Sequence, residues 1–296
     1  MPVLPRSIWN AGNSGFGLRI KGEFAGLIGF SDDDILLAPS ALALQEMINI
    51  TKKYCDEHGL AFSTDPNPSK SKTKCISWLR WKRDLPDVFL GENRLPWVDR
   101  IKHLGTVITN ENHVLEEDMA QKKAKYINRN CELNQEFHFA GIETKLLVND
   151  LYNSSWFGSV LWDFYGPAAQ KIEACYNRSI KIMLGLPVDT HRCLIEPLTR
   201  RTHLRKLLLC CFLMMVSKLK NTDKPLIRTL LEVTIGNCLT TTGRNLRRIL
   251  LESNRRNVND IDVSVMDKLP TPHGGGMDWR DCDRDAGCQG GRHTGQ

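Results

Sequence analysis

The sequence predicts an α+β chain, and three observations carry the prediction. From residue 17 to about residue 111, short apolar segments alternate with turns rich in Gly, Asn and Asp, which is the punctuation of strands and hairpins. From about residue 112 the apolar residues recur at helical spacing over much longer stretches. The longest apolar run, 207–216, lies between Lys206 and Lys218 and is too short for a bilayer, so it reads as a buried helix.

Residues 1–13 show no period. Segments 17–30 and 35–38 read as the two strands of a hairpin, each at least half buried, around an acidic tip. Ser40 is placed to cap a helix over 41–58, whose apolar stripe is Leu44, Ile48, Thr51 and Cys55, widened by Met47 and Tyr54; Gly59 supplies the stop. Asp65-Pro66-Asn67-Pro68 is a turn cluster. Segment 74–81 reads as a strand, 88–90 and 94–98 as a hairpin around Gly91-Glu92-Asn93, and 101–108 as a further strand. Helices are expected over 114–136, 144–165, 168–184, 202–219 and 224–231. The switch from strands to helices divides the chain into 1–111 and 112–266. Residues 267–296 are rich in Gly, Asp and Arg with few apolar groups, and are expected to be a disordered tail.

The chain of 296 residues is 41% hydrophobic and 25% charged, which suits one or two soluble globular domains. It shows neither a secretory leader nor a bilayer-length apolar run, so the nucleus or cytoplasm is expected and a membrane is not. The ten cysteines fit reduced intracellular thiols. Cys282 and Cys288, with His273 and His293, lack the spacing of zinc sites. Net charge is +6, yet residues 200–256 alone hold thirteen Lys and Arg against Asp223, Glu232 and Glu252. Such a concentration, which includes Arg244, Arg247 and Arg248, suits a phosphate backbone through counterion release; a solvated helical surface has the same composition. No phosphate-cradling Gly-x-x-x-x-Gly-Lys, Gly-x-Ser-x-Gly or His-Glu-x-x-His pattern occurs.

The most informative run is Gly29-Phe30-Ser31-Asp32-Asp33-Asp34-Ile35-Leu36-Leu37. Carboxylates clustered at a hairpin tip repel one another, and a divalent cation offsets that repulsion. Hard oxygen ligands suit Mg²⁺, which takes one or two protein carboxylates together with substrate phosphates. Two metals held this way stabilise the attacking and leaving oxygens of nucleotidyl transfer. A solvated acidic turn would show the same residues.

Phe30-Ser31-Asp32-Asp33, followed by Ile35-Leu36-Leu37-Ala38-Pro39-Ser40, resembles the Phe/Tyr-x-Asp-Asp motif of reverse transcriptases. The longer series resembles the enzymes of non-LTR (LINE-like) retrotransposons. After the hairpin come the helix at 41–58, Lys72-Thr73-Lys74, His103-Leu104-Gly105, and the region 154–162 with Gly158 and Trp162-Asp163. Asn177-Arg178-Ser179, Leu186-Pro187 through Thr190-His191-Arg192, and Ile195-Glu196-Pro197 resemble the post-thumb segment. The match runs from about Gly12 to about Arg248.

This resemblance implies an incomplete polymerase palm, made of antiparallel strands with one packed helix, followed by a mostly helical thumb and C-terminal region. It makes Asp32 the direct ligand and Asp33 the support for Mg²⁺ or Mn²⁺, with Asp34 an additional acid where relatives commonly carry a β-branched residue. Lys72 is placed to protonate the leaving pyrophosphate, with Lys70 and Lys74 as neighbours in that role. Trp97, Leu104 and Gly105 belong to a strand pair like the one that grips a primer end. Lys122, Lys123, Lys125 and Arg129 lie on a thumb-like helix that tracks a duplex. The partners implied are an RNA template, a DNA primer and a dNTP. Members of the family carry fingers and an earlier palm aspartate ahead of the hairpin, whereas here 28 residues precede Gly29 and Glu23 is the one acid before Asp32. The expectation is therefore a C-terminal part of such an enzyme, inactive alone. Three other readings remain: a non-catalytic nucleic-acid-binding module, an RNA-dependent RNA polymerase (which usually has Gly where Ser31 stands), and a helical scaffold whose hairpin match is chance.

Overall fold

A computed structural model describes residues 15–31, 33–65, 67, 70–78, 85–110, 114–153 and 156–254. The expectations for 1–13, Asp32 and the tail 267–296 lie outside the described residues. The described chain is α+β. Its strands are β1 (Arg19–Ile20), β2 (Glu23–Phe24), β3 (Leu27–Phe30), β4 (Asp33–Leu36), β5 (Val88–Leu90), β6 (Asn93–Leu95), β7 (Arg100–His103) and β8 (Thr106–Thr109). They pair consecutively as four antiparallel two-stranded sheets. The helices are α1 (Ala41–Glu57), α2 (Val114–Glu136), α3 (Ile142–Asn153), α4 (Pro167–Met183), α5 (Ile195–Thr199), α6 (Leu204–Lys220), α7 (Pro225–Gly236) and α8 (Thr241–Glu252).

Two-stranded sheets have little stability of their own and need a helix or a core behind them. Helix α1 supplies one. Ser40 Oγ accepts from Ala43 N at 3.1 Å, and Gly59 at φ +66° turns the chain out of the helix. Met47, Ile48 and Thr51 are buried, with the Thr51 hydroxyl donating to Met47 O at 2.8 Å. Ile48 joins Cys75, Val88, Leu90 and Leu95 in a small core, with Leu36, Leu44 and Trp97 packed against it.

The principal core belongs to the helices. On α6, Leu204, Leu208, Leu209, Phe212, Leu213 and Val216 are buried, the stripe that the apolar run 207–216 dictates. Each such side chain contributes about 1.5–3 kcal/mol on burial, which makes α6 the organising element of this half. Trp162, Phe164, Ile172, Met119, Leu246 and Ile249 complete the cluster. On α2, Met119, Tyr126 and Leu133 recur at heptad spacing and are buried. Leu133 meets Leu146, Ile180, Met183 and Ile195 in a third core.

Several expected elements are broken where the backbone must turn. Segment 17–30 is not one strand: Lys21 and Gly22, at φ +48° and +89°, fold it into β1 and β2. Segment 101–108 likewise becomes β7 and β8, because Leu104 and Gly105 take φ +46° and +79°. Positive φ at both central residues is the signature of the tight turn that matches strand twist. Of the strand expected at 74–81, residues 79–81 lie outside the described residues, and 74–78 hold a parallel bridge between Cys75 and Trp97. The helix expected at 144–165 ends with α3 at Asn153; the chain then passes Gly158 at φ +82° into a 3-10 turn, Ser159–Leu161. Helices α5 and α8 were not anticipated. Among the described residues no helix is long and apolar enough to cross a membrane.

Candidate functional site

The acidic run forms a hairpin. Leu27 pairs with Leu36, Ile28 with Ile35, Gly29 with Asp34 and Phe30 with Asp33. Ser31 takes φ +59°. Opposite residues of an antiparallel pair share a face. Asp33 therefore shares a face with Phe30, Ile28 and Ile35, whereas Asp34 lies on the other face with Gly29 and Leu36. Leu36 packs toward the α1 core, and Asp34 acts electrostatically on Cys55 of α1.

The expectation that both strands are at least half buried is corrected: Ile28 is 50% exposed, Phe30 is 62% exposed, and Asp33 and Asp34 are exposed. The physical reason is that a two-stranded sheet backed by a single helix buries one face at most. Partial burial, and then the charge of Asp33, raises the Asp34 carboxyl above the ordinary carboxylate range. That repulsion is the kind a divalent cation relieves. Asp33 and Asp34, on opposite faces, do not converge on one point. Among the described residues no group of three or more His, Cys, Asp or Glu side chains is gathered for a metal.

Lys72 is exposed on a loop anchored on both sides. Thr73 N and Thr73 Oγ1 both donate to Ser63 O, at 3.2 and 3.1 Å, and Ser71 Oγ donates to Thr73 O at 2.7 Å. Trp97 is turned toward the core, its Nε1 donating to Pro86 O at 3.0 Å. Leu104 and Gly105 form the β7–β8 turn. A Cβ on Gly105 would stand 4.0 Å from Phe157, so this turn abuts the one that carries Phe157 and Gly158.

The four basic residues of α2 part company. Lys122 is drawn inward: its Nζ lies 3.1 Å from Asp118 Oδ2, bonds to Phe157 O, and stands over the Trp162 ring. Asp118 is 2% exposed and also accepts from Trp162 Nε1 at 2.9 Å. Arg129 donates to Tyr152 O at 2.6 Å and lies over the Tyr152 ring. Lys123 is half-buried, and Lys125 is exposed.

On α8, Arg244 donates to Leu239 O at 2.8 Å and pairs with Asp163 at 3.5 Å. Arg247 is exposed, and Arg248 lies over the Tyr165 ring. The helix is held by Asn245, which is wholly buried. Its Nδ2 donates to Trp162 O at 2.7 Å, and its Oδ1 accepts from Phe164 N at 3.3 Å. The Asp118–Lys122 pair and Asn245 escaped sequence reasoning. The i,i+4 spacing of Asp118 and Lys122 was a visible signal; nothing local marks Asn245.

The structure thus gathers two sets of predicted residues. The acidic hairpin and α1 lie together in the strand-rich part, and Lys122 meets the Leu104–Gly105 turn through Phe157 and Gly158. No family profile matches this chain, and comparisons with curated proteins and with solved structures find no match either.

Proposed function

We propose that this chain is the C-terminal part of an RNA-directed DNA polymerase of the non-LTR retrotransposon kind, comprising the end of the palm, a thumb and a post-thumb region. The observation that supports the reading most is the register of the acidic hairpin. Phe30 lies opposite Asp33 and Gly29 opposite Asp34, so the acidic run falls at the end of an antiparallel hairpin followed by a capped helix. Asp32 and Asp33 are the residues to hold Mg²⁺ or Mn²⁺. The ion, when bound, neutralises charge developing on a transferring phosphoryl group.

Lys72, exposed on its anchored loop, holds the proton for the leaving pyrophosphate. Trp97 braces the strand pair from inside, and Leu104 and Gly105 present the turn to a primer end. Lys123, Lys125 and Arg129 on α2, with Arg244, Arg247 and Arg248 on α8, meet the backbone of template and primer. Lys122 serves this surface by fixing the Phe157–Gly158 turn.

Two carboxylates on one turn do not complete a two-metal site. The 296 residues by themselves are therefore expected to bind an RNA–DNA primer–template without extending it. The test is nuclear magnetic resonance of the full chain with Mn²⁺ and a dNTP. Paramagnetic broadening of amides in 29–37, abolished in Asp32→Ala and in Asp33→Ala, supports the polymerase reading; the absence of broadening there overturns it. Template-dependent extension lost in Asp32→Ala would show the inactivity claim to be wrong.

A second reading, a non-catalytic nucleic-acid-binding module, is favoured by the exposure of Lys125 and Arg247, neither of which pairs with a carboxylate among the described residues. Binding of the primer–template that falls steeply with salt and ignores Asp32→Ala, with no Mn²⁺ broadening, selects it.

A further inference from the structure

Tyr165 carries two guanidinium groups. Those of Arg205 and Arg248 lie over its ring, 4.7 and 5.1 Å from the centroid. The Tyr165 hydroxyl donates to Glu252 Oε2 at 3.0 Å, and the other Glu252 oxygen lies 3.4 Å from Arg205 Nη2. Glu252 is thereby committed to Arg205 and Tyr165. Arg248, among the described residues, pairs with no carboxylate. Arg244, one helical turn away, is held by Asp163, and Arg247 beside it is exposed. Four guanidiniums thus share two carboxylates, Glu252 and Asp163.

Arg205 is also short of an acceptor, since its Nε is buried without a hydrogen-bond partner. Like charges brought onto one ring repel, and an anion between them relieves the repulsion. A guanidinium held over a ring still has N–H groups to offer an acceptor, and a phosphate suits their fork.

We propose that Arg248 and Arg205, held on Tyr165, form a binding site for a single phosphate group. On the nucleic-acid reading above, from which this inference takes its ligand, the group is a backbone phosphate; free inorganic phosphate has the same chemistry. Tyr165 is a positioning residue: it fixes the two guanidiniums at the junction of α6 and α8.

The experiment is a fluorescence-anisotropy titration of the full chain with a 5′-labelled single-stranded DNA across a salt series, repeated with inorganic phosphate as competitor. Arg248→Gln is expected to weaken binding on the order of tenfold and to lower the slope of log K against log salt by about 1. Arg248→Lys keeps the slope while losing affinity, because it retains the charge without the fork. Arg178→Gln, the loss of an equal charge on an exposed position of α4, leaves both unchanged. Should Arg248→Gln unfold in a urea titration, Arg248→Lys decides by the same readout. Wild-type affinity and slope in Arg248→Gln, or in Arg248→Lys wild-type affinity, overturn the site. Absence of DNA binding with phosphate binding retained, lost in Arg248→Gln by calorimetry, sinks the nucleic-acid reading and leaves the phosphate site standing; absence of both overturns both.

Discussion

At the scale of single residues, Asp118 shows a buried charge with its partners in place. Asp118 is nearly sealed from solvent, and its carboxylate answers both the Trp162 indole and the Lys122 ammonium. Removing one member of such a set leaves the others buried and unpaired. Asp118→Ala is expected to cost about 3 kcal/mol, read as a lower urea midpoint at unchanged m-value. The double variant Asp118→Ala/Lys122→Met is expected to cost less than the sum of its singles.

Cys75 gives a pH prediction. Burial in the α1 core pushes its thiol up to about 11 from the ordinary value of 9.0. The folded state therefore favours the protonated form. Its contribution to stability is whole below pH 9 and is lost as pH rises from 9 through about 11. At pH 8, Cys75 should alkylate far more slowly than the exposed Cys131 and Cys193 in a mass-spectrometric time course.

The sequence could nominate Lys122 and Trp97 as functional because their motifs are local. It could not assign their orientations, which Phe157, Trp162 and Pro86 decide from elsewhere in the chain. Lys125 and Arg247, by contrast, are exposed as a solvent-facing basic residue would be.

At the scale of elements, helices α1, α2, α4 and α6 were legible nearly to the residue. Ser40 and Gly59 mark the ends of α1, and the 3.6-residue stripe marks its buried face. The strands were legible as apolar segments, but their turns were not, because Lys21-Gly22 and Leu104-Gly105 lack the Asn-Gly or Asp-Gly signature of tight hairpins. Helix α8 was missed although its apolar residues Leu246 and Ile249 fall on one face with Asn245, because its 12 residues repeat that pattern over fewer turns than the 23 of α2.

Gly158 shows what a turn demands. It takes φ +82°, and a Cβ there would stand 2.8 Å from Thr106 Oγ1 and 3.0 Å from Lys122 Nζ. Gly158→Ala is expected to destabilise by about 1–2 kcal/mol or more, from left-handed strain and the clash together, measured by urea unfolding. The acidic hairpin offers the opposite sign. Because the Asp34 carboxyl is raised, its charged form opposes folding above that pKa and its protonation favours folding below. Asp34→Asn should make the hairpin amides exchange more slowly at pH 7 and flatten the gain seen on acidification. Faster exchange at pH 7 would contradict this account of the tip.

At the scale of the whole molecule, strands and helices are not separate bodies. Strand β8 packs on α2, and β1 and β2 lie against α7. The α+β class and the helical second half follow from where period 2 gives way to period 3.6. The layout of three cores does not, because it depends on side chains such as Trp162 and Phe164 that meet α6 and α8 across long sequence separations.

The function proposed requires this body to hold a nucleic acid by its charge, and binding to an RNA–DNA primer–template across a salt series tests that most directly. The account predicts an affinity that falls by about 10²-fold or more between 50 and 200 mM salt, with a linear log–log slope set by several phosphate contacts. An affinity indifferent to salt, or no binding at the lowest salt, would contradict it.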